Sequence, residues 1–498
     1  MQEEKKILSD SLIVFTGTVI GQLIGYVYFI VLSQTLGAKV FGQYSILISL
    51  LSTITMLSIL GQNRTILRYL PIYYHGKDFK TFFFVLKILV AACGLLAIIL
   101  AGIVFLFKEF IIVNLFKTTI NFTSLIVLTI TIPFYTILTI SYDILRSIGD
   151  AKIRTFVDNI FQKLIKVGIL LIAVWVFSIG LSLTYFLMLD LLGILISLGI
   201  ITFYIYKKFS DTEIIGNINF NNHEFKYFMF SMIPVSIFFA VTPQIANFSL
   251  GILSNMKEAG LYNAALKIAN IGLLVSVAIN TNFAPFVSAL KENNKIDELI
   301  LLFRKITVIM NILIIYLSAV FILNGKEILF LFGNEFTNAY LVLVILFLRL
   351  VLDSFFGPVG LMITMGGYGK LTLILIIINF LSTLIFCYLF IPLWGAKGAA
   401  IALLLSTFLT QLITAIKVKE KYKIKLLHSK YLLTITGFLF LFIITIIIKY
   451  ALLQHISVFF QLFLTNLILT LGFMYIIIKS YPNSFKEISE ILRIKEYL

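Results

Sequence analysis

The chain has 498 residues, is 60% hydrophobic and only 12% charged, and carries a formal net charge of +16. A soluble globular protein is nearer one quarter charged, so this composition excludes an ordinary soluble enzyme. The positive residues lie between apolar runs of about 20 residues, the length of a bilayer-crossing helix, which points to membrane orientation rather than to a nucleic-acid partner.

The amino-terminal stretch "MQEEKKILSDSLIVF" lacks a small-residue cleavage signal and leads straight into an apolar run, so it reads as a retained first span. Fourteen spans are expected. The first six are near 11–33, 42–62, 82–107, 121–143, 157–177 and 183–206. The next six are near 227–250, 260–283, 304–323, 338–362, 371–391 and 397–416, and a last pair lies near 431–449 and 456–478. Lys163 and Lys166 interrupt the fifth span, and Arg349 and Asp353 the tenth. The two cysteines, Cys93 and Cys387, fall inside spans and read as small buried residues, not as a disulfide or metal site. Lipid-exposed backbone must satisfy its own hydrogen bonds, and a barrel would alternate in polarity along short strands; continuous Ile, Leu, Phe and Val therefore predict helices.

Charge sets the expected orientation. Of the 39 lysines and arginines, 27 lie in the N-tail, the connections after even-numbered spans and the C-tail. Seven lie after odd-numbered spans: Lys39, Lys108, Lys117, Lys257, Lys326, Lys397 and Lys449. The bias predicts a cell-membrane protein with both termini cytoplasmic. The richest inner connection, Lys417–Lys430, reads as an orientation signal in contact with anionic lipid, or as a regulatory or partner-binding segment.

The second half echoes the first. Two apolar segments around a polar corner, Asn255–Gly260, repeat the plan of Ser11–Leu60 with its corner at Gly37–Phe41. Lys39, Gly42 and Tyr44 lie 218 positions before Lys257, Gly260 and Tyr262. The expected fold is therefore an all-α polytopic membrane protein of about 14 transmembrane helices. It comprises two pseudo-symmetric six-helix bundles, 1–210 and 211–420, then a terminal helix pair with a cytoplasmic tail, 421–498. Six spans per half make the repeats parallel, which suits alternating access between them. Gly17, Gly21 and Gly25 recur every four residues and predict a small face for close packing against a neighbouring span, with dimerisation as the other reading. Pro234 and Pro243 predict a bent seventh span, with Gln244 and Asn247 as polar groups near the bend that line a cavity or ion site.

Ionisable groups at membrane depth carry the functional argument, because their cost in lipid confines them to protein interiors or aqueous cavities. Lys163 and Lys166 share one helical face and either line a cavity or snorkel. Lys267 shares a face with Asn270. Arg349 and Asp353 either pair with each other, or Arg349 faces a substrate phosphate while Asp353 orients it; a planar guanidinium suits phosphate. Asp190 balances a basic cavity or binds a coupling cation. Arg64 and Arg68 orient the chain or form an entry site for an anionic head group. The excess of cations predicts a negatively charged substrate, received where Lys163, Lys166, Lys267 and Arg349 converge on one chamber.

Signals for chemistry are thin. No glycine loop followed by Lys and Ser supports direct ATP use. His75, His223, His428 and His455 are scattered and form no zinc-binding array.

Several of these residues carry a resemblance. Gly17, Gly21, Gln22, Gly25, Leu36, Gly37, Phe41, Gly42 and Tyr44 carry it in the first half. "KEAGLYNAALKIAN" (Lys257–Asn270), Phe283, Pro285, Gly357–Gly360, Gly366–Gly369, Asn379 and "PLWGAKGAAIA" (Pro392–Ala402) carry it in the second. In their order and spacing the chain resembles the oligosaccharide and polysaccharide flippases of the multidrug/oligosaccharidyl-lipid/polysaccharide exporter superfamily. The resemblance implies movement of a polyprenyl-pyrophosphate-linked glycan to the outer leaflet by two rocking bundles, without hydrolysis and without an organic cofactor. It implies a Na+ or H+ gradient as driver, with Asn247 where many relatives carry an acidic or polar residue. Membrane lipids and glycan polymerases or transferases are the expected partners. A peptidoglycan lipid-precursor flippase, a cation-coupled multidrug exporter and a glycan-joining membrane enzyme are the competing readings.

Overall fold

A chain this apolar satisfies its backbone in lipid by coiling it. The computed structural model describes residues 2–118, 120–175, 182–210, 218, 222–423, 429–451 and 458–480, and among them every regular element is a helix. His428, His455, residues 424–428 of the Lys417–Lys430 connection and the tail from 481 lie outside the described residues.

Helix α1 (Gln2–Ile59) carries the first two expected spans and is broken only at Gly37, whose φ of 69° makes the expected corner. Leu60 and Gly61 both take positive φ and end it, so the helix bearing Arg64 and Arg68, α2 (Gln62–His75), is a new element and no continuation of the second span. Next come α3 (Phe79–Leu106), a π-turn at Phe110–Leu115, and α4 (Phe122–Ser147). The fifth span is α5 (Ala151–Thr155), a π-turn at Phe156–Phe161, and α6 (Gln162–Trp175); α7 (Leu183–Phe209) is the sixth.

The seventh span is broken as its prolines require: α8 (Asn222–Ser231), α9 (Ile233–Val241) with Pro234 in its first turn, a 3-10 turn at Thr242–Gln244 containing Pro243, then α10 (Ile245–Leu253). The chain continues through α11 (Met256–Glu292), α12 (Ile296–Leu323), α13 (Gly325–Phe330), a 3-10 turn at Asn334–Ala339, α14 (Tyr340–Phe356) and α15 (Val359–Met365). Helix α16 (Gly369–Tyr422) holds the eleventh and twelfth spans on either side of Gly395 (φ 52°), and α17 (Ser429–Ala451) and α18 (Val458–Ser480) are the last pair. Among the described residues, nine helices are long and apolar enough to cross a membrane, and α17 and α18 carry shorter apolar stretches.

The 218-residue echo is structural. Gly149 and Gly367 both have positive φ, 86° and 78°. The turn around each is closed alike: Gly149 N–H donates to the Arg146 carbonyl at 3.2 Å and Gly367 N–H to the Thr364 carbonyl at 3.3 Å. The corner echo is a contact. A Cβ at Gly42 would run into the Met256 carbonyl, and one at Gly260 into the Ala38 carbonyl. Ala38 and Met256 are themselves 218 apart, so one backbone approach is made twice about a local two-fold.

The residues pack as two compact units: Met1–Ala264 with Phe330–Ala339 and Ile376–Ala402, and Ala265–Leu329 with Tyr340–Leu375 and Leu403–Leu498. This is a division by packing, whereas the expected segments 1–210, 211–420 and 421–498 follow the sequence repeat. In the first unit, Phe82, Leu138, Ile144 and Ile201 are fully or almost fully buried in a core joining α3, α4 and α7. The glycine face of α1 packs closely against another span, as expected, and that span is the fifth: Cβ atoms at Gly17 and Gly25 would stand 2.9 Å from Thr155 Cγ2 and 3.5 Å from Lys163 Cδ, and one at Gly21 would overlap the Asn159 carbonyl. In the second unit, Phe283, Phe303, Met362 and Val418 close a core of α11, α12, α15 and α16. The terminal pair is tied to that unit by polar bonds: Tyr316 and Thr470 hydroxyls at 2.9 Å, Asn324 Nδ2 to Asn466 Oδ1 at 3.0 Å, and Lys449 Nζ to Glu327 Oε1 at 2.8 Å.

Candidate functional site

In the first unit, helices α1, α6 and α7 converge on Asp190. Its carboxylate accepts from Lys166 Nζ at 2.7 Å and from the Tyr44 hydroxyl at 2.7 Å. Asp190 and Tyr44 are both 4% exposed, and a buried carboxylate needs its partners on the spot. Gly193, one turn along α7, provides the room: a Cβ there would stand 2.9 Å from Lys166 Cε. Tyr28, on α1, closes the other side, with Lys166 Nζ 6.0 Å from its ring centroid. Lys166 is thus neutralised within the bundle.

Lys163, one turn earlier, differs. Its stem lies along Gly25 of α1 and it is half-buried. Among the described residues no carboxylate lies within ion-pair distance of it, although Asp158 is within electrostatic reach. Arg64 and Arg68, one turn apart on α2, are exposed and face the aromatic side of α8 and α9. Arg64 lies 5.2 Å from the Phe239 ring centroid and Arg68 4.4 Å from that of Phe228, with Glu224 Oε1 at 3.4 Å from Arg68.

Asn247 and Gln244 form a polar joint. Asn247 is 5% exposed; its Nδ2 donates to Ser49 Oγ at 2.9 Å and to Gln244 Oε1 at 3.4 Å, and its Oδ1 accepts from Asn263 Nδ2 at 2.9 Å. The amide therefore binds α10 to α1 and α11. Sequence reading missed Ser49 and Asn263 as its partners; both are polar residues inside expected spans, and that was the available signal.

Lys267, Asn270, Arg349 and Asp353 belong to the second unit. Asn270 is exposed and Lys267 half-buried on α11. Arg349 and Asp353 do not pair with each other, contrary to one of the two expectations. Arg349 Nε donates to Thr407 Oγ1 at 2.9 Å, and Gln411 Nε2 donates to Asp353 Oδ1. The physical reason is registry: α14 and the second limb of α16 run side by side, and each member of a one-turn pair on α14 meets a neutral hydrogen-bonding group 58 positions on. Among the described residues no carboxylate lies within ion-pair distance of Arg349, whose guanidinium is oriented by the Thr407 hydroxyl, with Asp353 one turn along the same helix. No group of three or more His, Cys, Asp or Glu side chains gathers as a metal site among the described residues.

The family whose model matches the chain is described as "Polysaccharide biosynthesis protein", over residues 7–291. No curated protein sequence matches. Among solved structures, the chain is similar to the lipid II flippase MurJ in an inward closed conformation, with a TM-score of 0.71 at 15% identity, over 95% of this chain and 99% of that one. It is similar to an inward-facing multidrug resistance MATE transporter of the MOP superfamily, with a TM-score of 0.68 at 15% identity, over 83% and 98%. A MOP superfamily transporter from Pyrococcus furiosus, whose description reports reversed polarity of the binding pocket, gives a TM-score of 0.59 at 16% identity, over 83% and 95%.

Proposed function

The chain belongs to the polysaccharide biosynthesis protein family, and from that membership we propose that it is a flippase. It moves a polyprenyl-pyrophosphate-linked oligosaccharide from the cytoplasmic to the outer leaflet of the cell membrane by alternating access. The observation that carries the reading is Arg349: a guanidinium at membrane depth, held by a neutral hydroxyl and left without a carboxylate. Such a group suits a phosphate oxygen, because charge-assisted bonds to it are short and strong. Lys267 and Asn270 are further candidates in the same unit. In the first unit, Arg64 and Arg68 collect the head group at the cytoplasmic end, with both termini on that side, and Lys163 is the deeper cation. Lys166 contributes by holding Asp190 and, through it, Tyr44.

The polyprenyl tail stays in lipid, and no bond is made or broken. A Na+ or H+ gradient drives the cycle, and glycan transferases and polymerases supply and consume the substrate. A peptidoglycan-precursor flippase is the second reading, favoured by the likeness to the lipid II flippase over 95% of this chain, terminal pair included, against 83% for the multidrug transporter.

The test is reconstitution in sealed vesicles with a panel of lipid-linked sugars, scoring arrival on the opposite leaflet without ATP. Transport of polyprenyl-pyrophosphate oligosaccharides is expected. Preference for lipid II would select the second reading, and failure across the whole panel by folded protein would reject both.

A further inference from the structure

At the end of the first unit that carries the lysine-poor connections there is a cavity of about 470 Å³. Lys39, Lys117 and Lys257 line it, over a floor that includes Thr118, Asn255 and Met256. We propose that this cavity is a binding site for a phosphate group, separate from the membrane-depth cations and occupied whether or not a glycan is being moved.

Five observations point the same way. Lys39 and Lys117 form no ion pair among the described residues, while Lys257 reaches only Glu335, at 3.9 Å. Glu335 stands 218 positions after Lys117, as Lys257 stands 218 after Lys39. At that offset the second repeat sets an acid beside its corner lysine where the first sets another lysine. The three lysines are exposed, so water screens their mutual repulsion, and an anion between them lowers it further.

Two helix beginnings also meet here. Lys39 lies in the first turn after the break at Gly37, and Met256 and Lys257 open α11. The Asn255 side chain caps the Glu258 N–H at 3.0 Å, but the first two N–H groups of α11 have no intrahelical acceptor and point outward with the positive end of the dipole. Thr118 Oγ1 accepts from Gln43 Nε2 at 2.9 Å, which leaves its own hydrogen to donate. Finally, Lys117 sits at φ 44°, a conformation that disfavours a side-chain-bearing residue, and it stands at the rim of this cavity. Lysine ammonium groups, helix N–H donors and a hydroxyl are the chemistry of phosphate recognition. The phosphate comes either from a lipid head group or from free solution.

The test uses the full chain in phosphatidylcholine nanodiscs with labelled inorganic pyrophosphate as probe, and then in discs doped with phosphatidylglycerol. Wild type should bind saturably, with affinity falling as salt rises. K39Q/K117Q should bind about tenfold more weakly, E335Q about two- to threefold more tightly because Lys257 is freed, and K108Q, outside the cavity, like wild type. Loss of probe in doped discs would assign the site to lipid phosphate, and unchanged binding to free phosphate. Equal affinity of wild type and K39Q/K117Q, or no binding by wild type, would overturn the proposal; if K39Q/K117Q does not fold, E335Q identical to wild type does so. No transport is read, so the result is independent of the flippase assignment.

Discussion

The two units treat charge within their helices in opposite ways. In the first, Lys166 and Asp190 meet at 2.7 Å and Tyr44 completes the carboxylate's bonds, so cation and anion cancel inside the bundle. In the second, Arg349 and Asp353 sit one turn apart on α14, yet each is held by a neutral group of α16, Thr407 or Gln411. A cancelled pair has no charge to offer a ligand, and breaking it strands the survivor. A charge held by neutral bonds is oriented without being spent. The first arrangement therefore suits assembly, and the second suits the phosphate-binding role proposed for Arg349.

The largest effect should come from removing half of the cancelled pair. Asp190→Ala leaves Lys166 half-buried and unmatched, and should cost about 3 kcal/mol, read as a large fall in the thermal midpoint of the purified protein. Replacing both together, K166M/D190L, should recover most of that loss. If the single variant unfolds no earlier than wild type, the pair is not the structural element described here.

Next is Gly193→Leu, which fills the space taken by the Lys166 stem. Overpacking of this kind costs about 1–3 kcal/mol. The same substitution at Gly94, where nothing lies within 4 Å of a new Cβ, should leave the midpoint unchanged. Equal behaviour at both positions would show that Lys166 takes another path to Asp190.

The backbone contact shared by the two repeats makes an intermediate case. Gly42→Val forces the Met256 carbonyl away and should cost about 1–3 kcal/mol, and Gly260→Val should match it because the same approach is made at Ala38. A marked inequality would mean that the local two-fold is superficial. The smallest stability effect is expected in the second unit: Thr407→Val removes one hydroxyl acceptor from the half-buried Arg349 guanidinium, about 1.5 kcal/mol. A loss as large as that of Asp190→Ala would erase the contrast between the units.

Much of this was legible in the sequence, for reasons visible in single residues. Gly17, Gly21 and Gly25 announce a close-packed face because only glycine lets a carbonyl such as that of Asn159 approach. Pro234 and Pro243 announce the broken seventh span. The repeat shows in Lys39, Gly42 and Tyr44 because a backbone crossing constrains residue type. The partners were not legible. Lys166 and Asp190 were each singled out but not joined, since which faces of α6 and α7 meet depends on helix rotation. Arg349 and Asp353 looked like a pair because one turn separates them, and the competing groups on α16 are 58 positions away. The break at Leu60–Gly61 was hidden because leucine rarely takes positive φ.

The most direct test compares transport by K166M/D190L and R349Q, at matched expression and folding, in sealed vesicles supplied with a polyprenyl-pyrophosphate oligosaccharide. K166M/D190L should keep most of the wild-type rate, and R349Q should lose at least about tenfold, since a bond to a charged phosphate is worth more than 1.4 kcal/mol. An active R349Q beside a folded but inactive K166M/D190L would contradict the account.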